Sequence, residues 1–424
     1  MRVSLVLACL TPNPPCLRPG GSEGAREDWL PTYAEWKFLS RRPAESAREH
    51  RSMVLCLAAL LPGAKRWLEA CIHKSRLPGI EEGERGMRGT ILYGPRDVRF
   101  EELDAPTILK PTDAIIRIWA TCLDGSDLWA YRGANPVAQP APMGHEYCGV
   151  VEEVGNAVTS VKPGQFVIGS FFASDNTCPH CQAGYQTSCQ RREVVSGAQA
   201  PTLRVPLADG TLVATSEAPS EDLVPSLLTL SDVMGTGWFA ADAANVKPGS
   251  TVVVVGDGAV GLLGVLSAKE MGAERIIAVI HHKSREKLAR EFGAACIVTE
   301  RGDEAVARIQ EMTMGIGADA VLECVGTQES IIQAIRSTRP GGTLVYVGVP
   351  QGVELDGARL FFAHIHLHGG PAPVRRYLPE LIDLVWRQKI NPGKVFDLTL
   401  PLDQVAEAYR AMDERRAIKT LLRP

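Results

Sequence analysis

Between Val98 and Gly169 the apolar positions come in short runs: Val98 to Leu103, Ala114 to Ala120, Cys148 to Val154 and Phe166 to Gly169, separated by Gly/Pro turns. Runs of this length, with turn formers between them, predict a β-rich, barrel-like unit. Beyond about Val233 the pattern changes. Val252 to Val255 leads into a helical stretch ending near Met271, and Ile276 to Ile280 is the next strand. Ala320 to Cys324 and Leu344 to Val349 repeat the theme with helical sequence between. Strand and helix alternating in this way imply a parallel sheet with helices on both faces, so the chain reads as α/β. A last apolar strand carries His364, His366 and His368, which alternation sets on one face.

Residues 1–86 follow neither pattern. They carry clusters of proline and glycine (Pro12, Pro14, Pro15, Pro19, Gly20, Gly21), an Arg-rich middle and one apolar run, Met53 to Leu61, with no pairing pattern that marks a domain. The opening, Met1-Arg2 followed by Val3 to Leu10, mimics a signal peptide but is shorter than the roughly 15–30 residues such a peptide needs.

Composition narrows the class. A chain of 424 residues exceeds one ordinary core, so two domains are expected besides the extension. With 45% apolar residues and no apolar run near the roughly 18 residues of a membrane span, the reading is a soluble protein with no membrane partner. A formal charge of −4 argues against nucleic acid. Three of the 11 cysteines cluster at short spacing, which favours reduced thiols and a metal over disulfides, and hence a cytoplasmic setting.

Gly256-Asp257-Gly258-Ala259-Val260-Gly261 follows the four-valine strand and opens a helix. In that setting Gly256 makes the turn, Gly258 lets a pyrophosphate approach the backbone, and Gly261 permits close helix–strand packing. The carboxylate that binds the adenosine ribose of NAD is expected about 20 positions further on, but Ile280 stands there. His281, His282, Lys283 and Arg285 follow, a basic group able to neutralise a 2′-phosphate. The cofactor read from this is NADP rather than NAD. Asp175, Cys178, Cys181 and Cys189 form a second constellation, since three thiolates and a carboxylate can close a tetrahedral zinc shell.

The most specific stretch is Gly144-His145-Glu146, opening G-H-E-Y-C-G-V-V-E-E-V-G, with Gly149, Gly155 and Val158 at the later positions of a zinc signature. Glu323-Cys324-Val325-Gly326, Arg339-Pro340-Gly341-Gly342 and the ending Ala408 to Pro424 add to it. On these residues, 87–424 resembles the zinc-dependent alcohol dehydrogenases of the medium-chain dehydrogenase/reductase family. The resemblance implies a GroES-like catalytic domain over 87–232 and 366–424, and a Rossmann nucleotide-binding domain over 233–365. It makes Met87-Arg88-Gly89-Thr90 look like a natural start, leaving 1–86 as a poorly ordered tail or a mis-assigned translation start.

The family's ligand positions for catalytic zinc fall on Asp124, His145 and Asp232. Aspartate at 124 replaces the family's cysteine, and Cys122 lies two residues earlier. A carboxylate there weakens zinc preference and admits other divalent ions. The family's structural-zinc lobe, four cysteines at the spacing seen here, carries Asp175 in its first place. Ser126 matches the hydroxyl that relays the alcohol proton, with Asp127 in support, Glu146 beside the metal and Thr236 at the cofactor. Trp129 replaces the histidine that ends the relay in many relatives, and Trp129 and Phe171 are expected to line the pocket.

The implied chemistry is hydride transfer between NAD(P)(H) and a small alcohol, aldehyde or ketone, in a homodimer or homotetramer. Two alternatives remain at this point: a zinc-free quinone or enone reductase of the same superfamily, and a catalytically silent nucleotide-binding protein.

Overall fold

In the computed structural model, the residues described are 86–135 and 140–424. The expectations for the N-terminal extension therefore lie outside the described residues, except at Gly86.

The β-rich part is organised around one strand, Ala114–Cys122, which reads A-I-I-R-I-W-A-T-C and is buried except at Arg117 and Trp119. It pairs antiparallel with Tyr147–Val154, with Thr202–Val205 and with the C-terminal strand Lys419–Arg423. Phe166–Gly169 continues the sheet beyond Tyr147–Val154 and is followed by Leu212–Ala214. On the other side Phe396–Pro401 pairs parallel with Lys419–Arg423. Gly86–Gly94, Asp97–Asp104 and the short Ala141–Pro142 make a separate three-stranded sheet.

The second sheet has six strands, all parallel: Cys296–Val298, Arg275–Val279, Thr251–Val255, Ala318–Glu323, Thr338–Tyr346 and His366–Gly369 in spatial order. Counted along the chain this is 3-2-1-4-5-6, the Rossmann order, which places its ligand crevice where the order reverses. Here that point lies beyond Val255 and Glu323. Both faces of the sheet are covered, and its strands Thr251–Val255 and Arg275–Val279 are accordingly near-continuous in apolar residues. Val252, Val254, Ala278 and Leu322 join one core, while Val253, Val255, Ile277 and Val321 join another on the opposite face.

Two sequence expectations are corrected here. His364 has φ 53° and lies in the turn before the last strand, so only His366 and His368 belong to that strand. The His368 ring packs on Phe239, 5.6 Å between centroids. The strand expected over Leu344 to Val349 runs instead from Thr338 to Tyr346, because Val347, Gly348 and Val349 leave the sheet to line cavities. Cys296–Val298 was not anticipated; three residues are too few to register a period.

Candidate active site

The carboxyl ends of the parallel strands face a cavity of about 390 Å³ that runs from Asp124, Ser126 and Trp129 past Gly256, Asp257 and Gly258. Gly256 has φ 121°, a conformation side chains rarely adopt. A Cβ on Gly258 would meet nothing within 4 Å, whereas one on Gly261 would come within 2.0 Å of the Gly256 carbonyl oxygen. The loop is therefore open where a diphosphate approaches and closed where the helix Ala259–Glu270 packs under it. These contacts fit a dinucleotide.

Of the basic residues expected at the ribose, His281 and His282 line this cavity. Lys283 is exposed at the start of the next helix, and Ile280 is 1% exposed, packed in the core. Arg285 is buried, donating to Asp257 Oδ1 at 3.2 Å and to the Asp257 carbonyl at 2.9 Å. Asp257, unremarked within the glycine motif, organises the whole corner. Its Oδ2 accepts the backbone N–H groups of His281 (2.8 Å) and His282 (2.9 Å) and lies 2.8 Å from His282 Nδ1. Burial alone would raise its carboxyl, but His282 and Arg285 hold it below the ordinary value. Arg301 and Arg415, which the sequence did not single out, also reach the cavity wall.

A second cavity, about 440 Å³, adjoins the first and shares Asp124, Ser126 and Val260 with it. Phe171, Phe172, Val194, Val349 and Pro371 make it mainly apolar, and His145, Asp232 and Thr236 stand in its wall. Trp129 lines only the first cavity and Phe171 only the second.

At the junction Asp124, His145 and Asp232 offer ligand atoms that all lie within 4.8 Å of one another. His145 follows Gly144, which has φ 90° and where a Cβ would lie only 2.8 Å from the Gln199 backbone nitrogen, leaving no room for a side chain. The imidazole Nε2 is 3.2 Å from Asp232 Oδ2 and 4.0 Å from Asp124 Oδ2, while Nδ1 is 3.5 Å from Asp127 Oδ1. One ring nitrogen thus faces the ligand cluster and the other a supporting carboxylate, the arrangement of a metal-bound histidine. Asp232 is oriented by Thr236, whose hydroxyl donates to Oδ1 at 2.7 Å.

Asp124 has a second task. Its carboxylate accepts the Ser126 N–H at 2.8 Å and Asp127 accepts the Asp124 N–H at 3.0 Å, a capping box for the helix Gly125–Tyr131. Burial would raise the Asp124 carboxyl, but Lys419, His145 and the Ser126 contact bring it down to about 2. Burial would likewise lower His145, yet Asp127 and Asp232 hold it well above the ordinary imidazole value. Three acidic groups around one imidazole constitute a site that favours a cation.

Lys419 was missed in the sequence, although a lone lysine in the apolar strand I-K-T-L-L was its signal. Fully buried, it donates to Glu146 Oε1 at 2.6 Å and to the Leu123 carbonyl at 2.9 Å, and lies 3.8 Å from Asp124 Oδ1. Glu146 Oε2 has no partner among the described residues; burial pushes this carboxyl up, and the ammonium of Lys419 pulls against that rise. Gln199, also unforeseen, donates to Asp127 Oδ2 (3.4 Å) and the Cys122 carbonyl (3.3 Å) while accepting from Tyr409 (3.3 Å). Cys122 is buried, and desolvation raises its thiol well above the ordinary range.

The second constellation is also assembled. Asp175, Cys178, Cys181 and Cys189 present ligand atoms within 4.8 Å of one another, with Cys178 Sγ 3.5 Å from Cys181 Sγ and 3.9 Å from Cys189 Sγ. Cys189 Sγ accepts backbone N–H groups from Asp175 (3.4 Å) and Arg191 (3.3 Å), contacts that suit a thiolate. Asp175 accepts from the backbone of Thr177 and Cys178 and from Arg191 Nε, all at 2.8–2.9 Å.

Comparison with known proteins agrees with this architecture. Residues 110–225 match the alcohol dehydrogenase GroES-like domain and 259–387 the zinc-binding dehydrogenase domain. Zinc-type alcohol dehydrogenase B of Aspergillus flavus is 32% identical over 353 residues, covering 80% of this chain and 82% of that protein. Among solved structures, the alcohol dehydrogenase of Thermus sp. ATN1 superposes with a TM-score of 0.73 at 29% identity, over 80% of this chain and 99% of its own. A zinc-binding dehydrogenase of Sinorhizobium meliloti bound to NADP superposes with a TM-score of 0.68 at 25% identity, over 80% and 99%. The chain is an NAD(P)-dependent oxidoreductase and belongs to the zinc-dependent alcohol dehydrogenases of the medium-chain dehydrogenase/reductase family.

Proposed function

We propose that this chain reduces small aldehydes or ketones, and oxidises the corresponding alcohols, in the apolar 440 Å³ cavity, using NADPH in preference to NADH. The observation that carries the reading is the convergence of Asp124, His145 and Asp232 where the two cavities meet. These three residues would hold the catalytic zinc, and Asp175, Cys178, Cys181 and Cys189 a structural one. When bound, the metal supplies a Lewis acid to the substrate oxygen and the nicotinamide supplies or accepts the hydride.

The chain's own residues do the rest. Ser126, in the wall of both cavities, passes the hydroxyl proton between substrate and solvent-side groups. Asp127 orients His145, Lys419 balances Glu146 and Asp124, and Phe171 and Phe172 exclude water. Thr236 holds Asp232 in the wall of the substrate cavity. The catalytic domain would comprise 87–232 and 366–424, and the nucleotide domain 233–365.

The NADPH preference rests on Asp257. Its carboxylate is engaged by His281, His282 and Arg285, so it is not free to receive ribose hydroxyls, and the imidazoles with Arg301 leave the corner basic. The Sinorhizobium meliloti relative bound to NADP agrees with this. A homodimer or larger homo-oligomer would form at His366–Gly369, the outermost strand of its sheet, beside the exposed Phe361 and Phe362. No helix among the described residues is long and apolar enough to cross a membrane, and the clustered thiols favour a cytoplasmic setting.

Metal analysis combined with turnover of a panel of aldehydes, ketones and alcohols, using NADPH and NADH, tests the reading. Two zinc ions per chain and faster carbonyl reduction with NADPH are expected. Turnover that survives complete removal of metal would make the zinc-free reductase the better description.

A further inference from the structure

The helix Gln328–Ser337 begins with the Thr327 capping box and turns Glu329, Ser330 and Gln333 to the wall of the glycine-loop cavity. Gln333 is 3% exposed, and its Nε2 meets no acceptor among the described residues. A buried amide N–H left in this state costs free energy that a ligand recovers by offering an acceptor. Its last torsion is soft, so a small turn presents either the amide nitrogen or the carbonyl oxygen to the cavity.

The cavity has two ends. Asp124 and Ser126 mark the end shared with the substrate cavity, where the reacting ring of a dinucleotide belongs. Gln333, Arg301 and Val325 line this cavity and none of them reaches the substrate cavity, as residues serving the other half of the dinucleotide require. Adenine carries a ring-nitrogen acceptor next to an amino donor on one edge. A glutamine amide carries the complementary donor and acceptor and pairs with that edge through two hydrogen bonds.

We infer that Gln333 reads the adenine ring of the cofactor, donating from its amide nitrogen to a ring nitrogen and accepting from the exocyclic amine. Gln333 is thus a specificity residue for the distal half of the dinucleotide, whereas ribose-phosphate groups decide between NADPH and NADH. The inference rests on the nucleotide reading of the cavity.

The test measures dissociation constants of NADPH, NADH and reduced nicotinamide mononucleotide, which lacks adenosine, for the full chain and for Gln333→Met and Gln333→Glu. Methionine keeps the volume without polar atoms; glutamate keeps an acceptor and loses the donor. Both variants should bind both dinucleotides about 3- to 10-fold more weakly, the loss of one net hydrogen bond. The mononucleotide should bind all three proteins alike. Unchanged dinucleotide affinity, or an equal loss for the mononucleotide, overturns the assignment of Gln333 alone. A wild-type chain that binds neither dinucleotide overturns the nucleotide reading as well.

Discussion

Lys419 and Glu146 meet as a buried ion pair, Nζ to Oε1 at 2.6 Å, between the C-terminal strand and the turn that carries His145. Taking two charges out of water is costly, and the pair repays that only while both partners are present. Lys419→Met strands Glu146 and leaves Asp124 without its nearest cation. The expected loss is about 3–5 kcal/mol in urea unfolding. The double variant Lys419→Met/Glu146→Leu should recover most of it; a double variant no more stable than the single one would show that the lysine acts through other groups.

Asp124 caps a helix and faces His145, so its two tasks need separate variants. Asp124→Asn keeps the cap and removes the negative charge; Asp124→Ala removes both, at a further cost of about 1 kcal/mol. Each should lower bound zinc by about one ion per chain and abolish turnover. Asp124→Cys should hold zinc more tightly against a chelator, since a soft thiolate suits zinc better than a carboxylate. The Cys178, Cys181 and Cys189 lobe should keep its ion throughout. Unchanged metal content in Asp124→Asn would remove this residue from the ligand set.

Arg301 offers a second view of cofactor choice, because it lines the nucleotide cavity while Arg285 is spent on Asp257. Arg301→Ala should raise KM for NADPH about 10-fold, roughly one charge-assisted hydrogen bond, and leave KM for NADH nearly unchanged. Equal effects on both cofactors would place the arginine away from the 2′-phosphate.

Asp209 provides a pH-dependent contribution to stability. Its carboxylate accepts from the backbone and hydroxyls of Thr159 and Ser160 at 2.8–3.1 Å. Burial would raise its carboxyl, but these bonds hold it below the ordinary 3.8. The stabilisation is therefore fully present above the unfolded value and lost as pH falls through the folded one. Asp209→Asn should cost about 1 kcal/mol near neutral pH, limited by its partial exposure, and converge with the wild type in acid. A difference that persists undiminished in acid would assign the effect to packing.

The strands and the glycine loop were legible because their signals are local: a two-residue period, a four-valine run, glycines at fixed offsets. The candidate metal residues were legible through spacing and family resemblance, and the structure brings Asp124, His145 and Asp232 together. Ile280 marks the limit. Its position in sequence pointed to the ribose, yet it is packed in the core, and the carboxylate at that corner comes from Asp257 in the preceding loop. Ile280→Asp would bury a charge rather than rebuild a ribose site. Gln199 and Gln333 were invisible for a related reason, and Lys419 left only the trace of one lysine in an apolar strand. Each acts through partners distant in sequence, and no period or motif records a contact that only the folded chain makes.

The position of Lys419–Arg423 sets an order of assembly. The parallel sheet is encoded in one continuous stretch and can close as soon as that stretch has left the ribosome. Ala114–Cys122 is made much earlier and pairs along Ala114 to Arg117 with Thr202–Val205, yet the Thr121-Cys122 part of that edge must wait for a strand synthesised after the entire parallel sheet. During that interval the edge is an open template for stray pairing, and the buried carboxylates near His145 lack their ammonium partner. The catalytic half is thus the last to become safe from aggregation, and chaperone engagement should fall on nascent chains that have completed the nucleotide sheet but not yet emerged through Lys419.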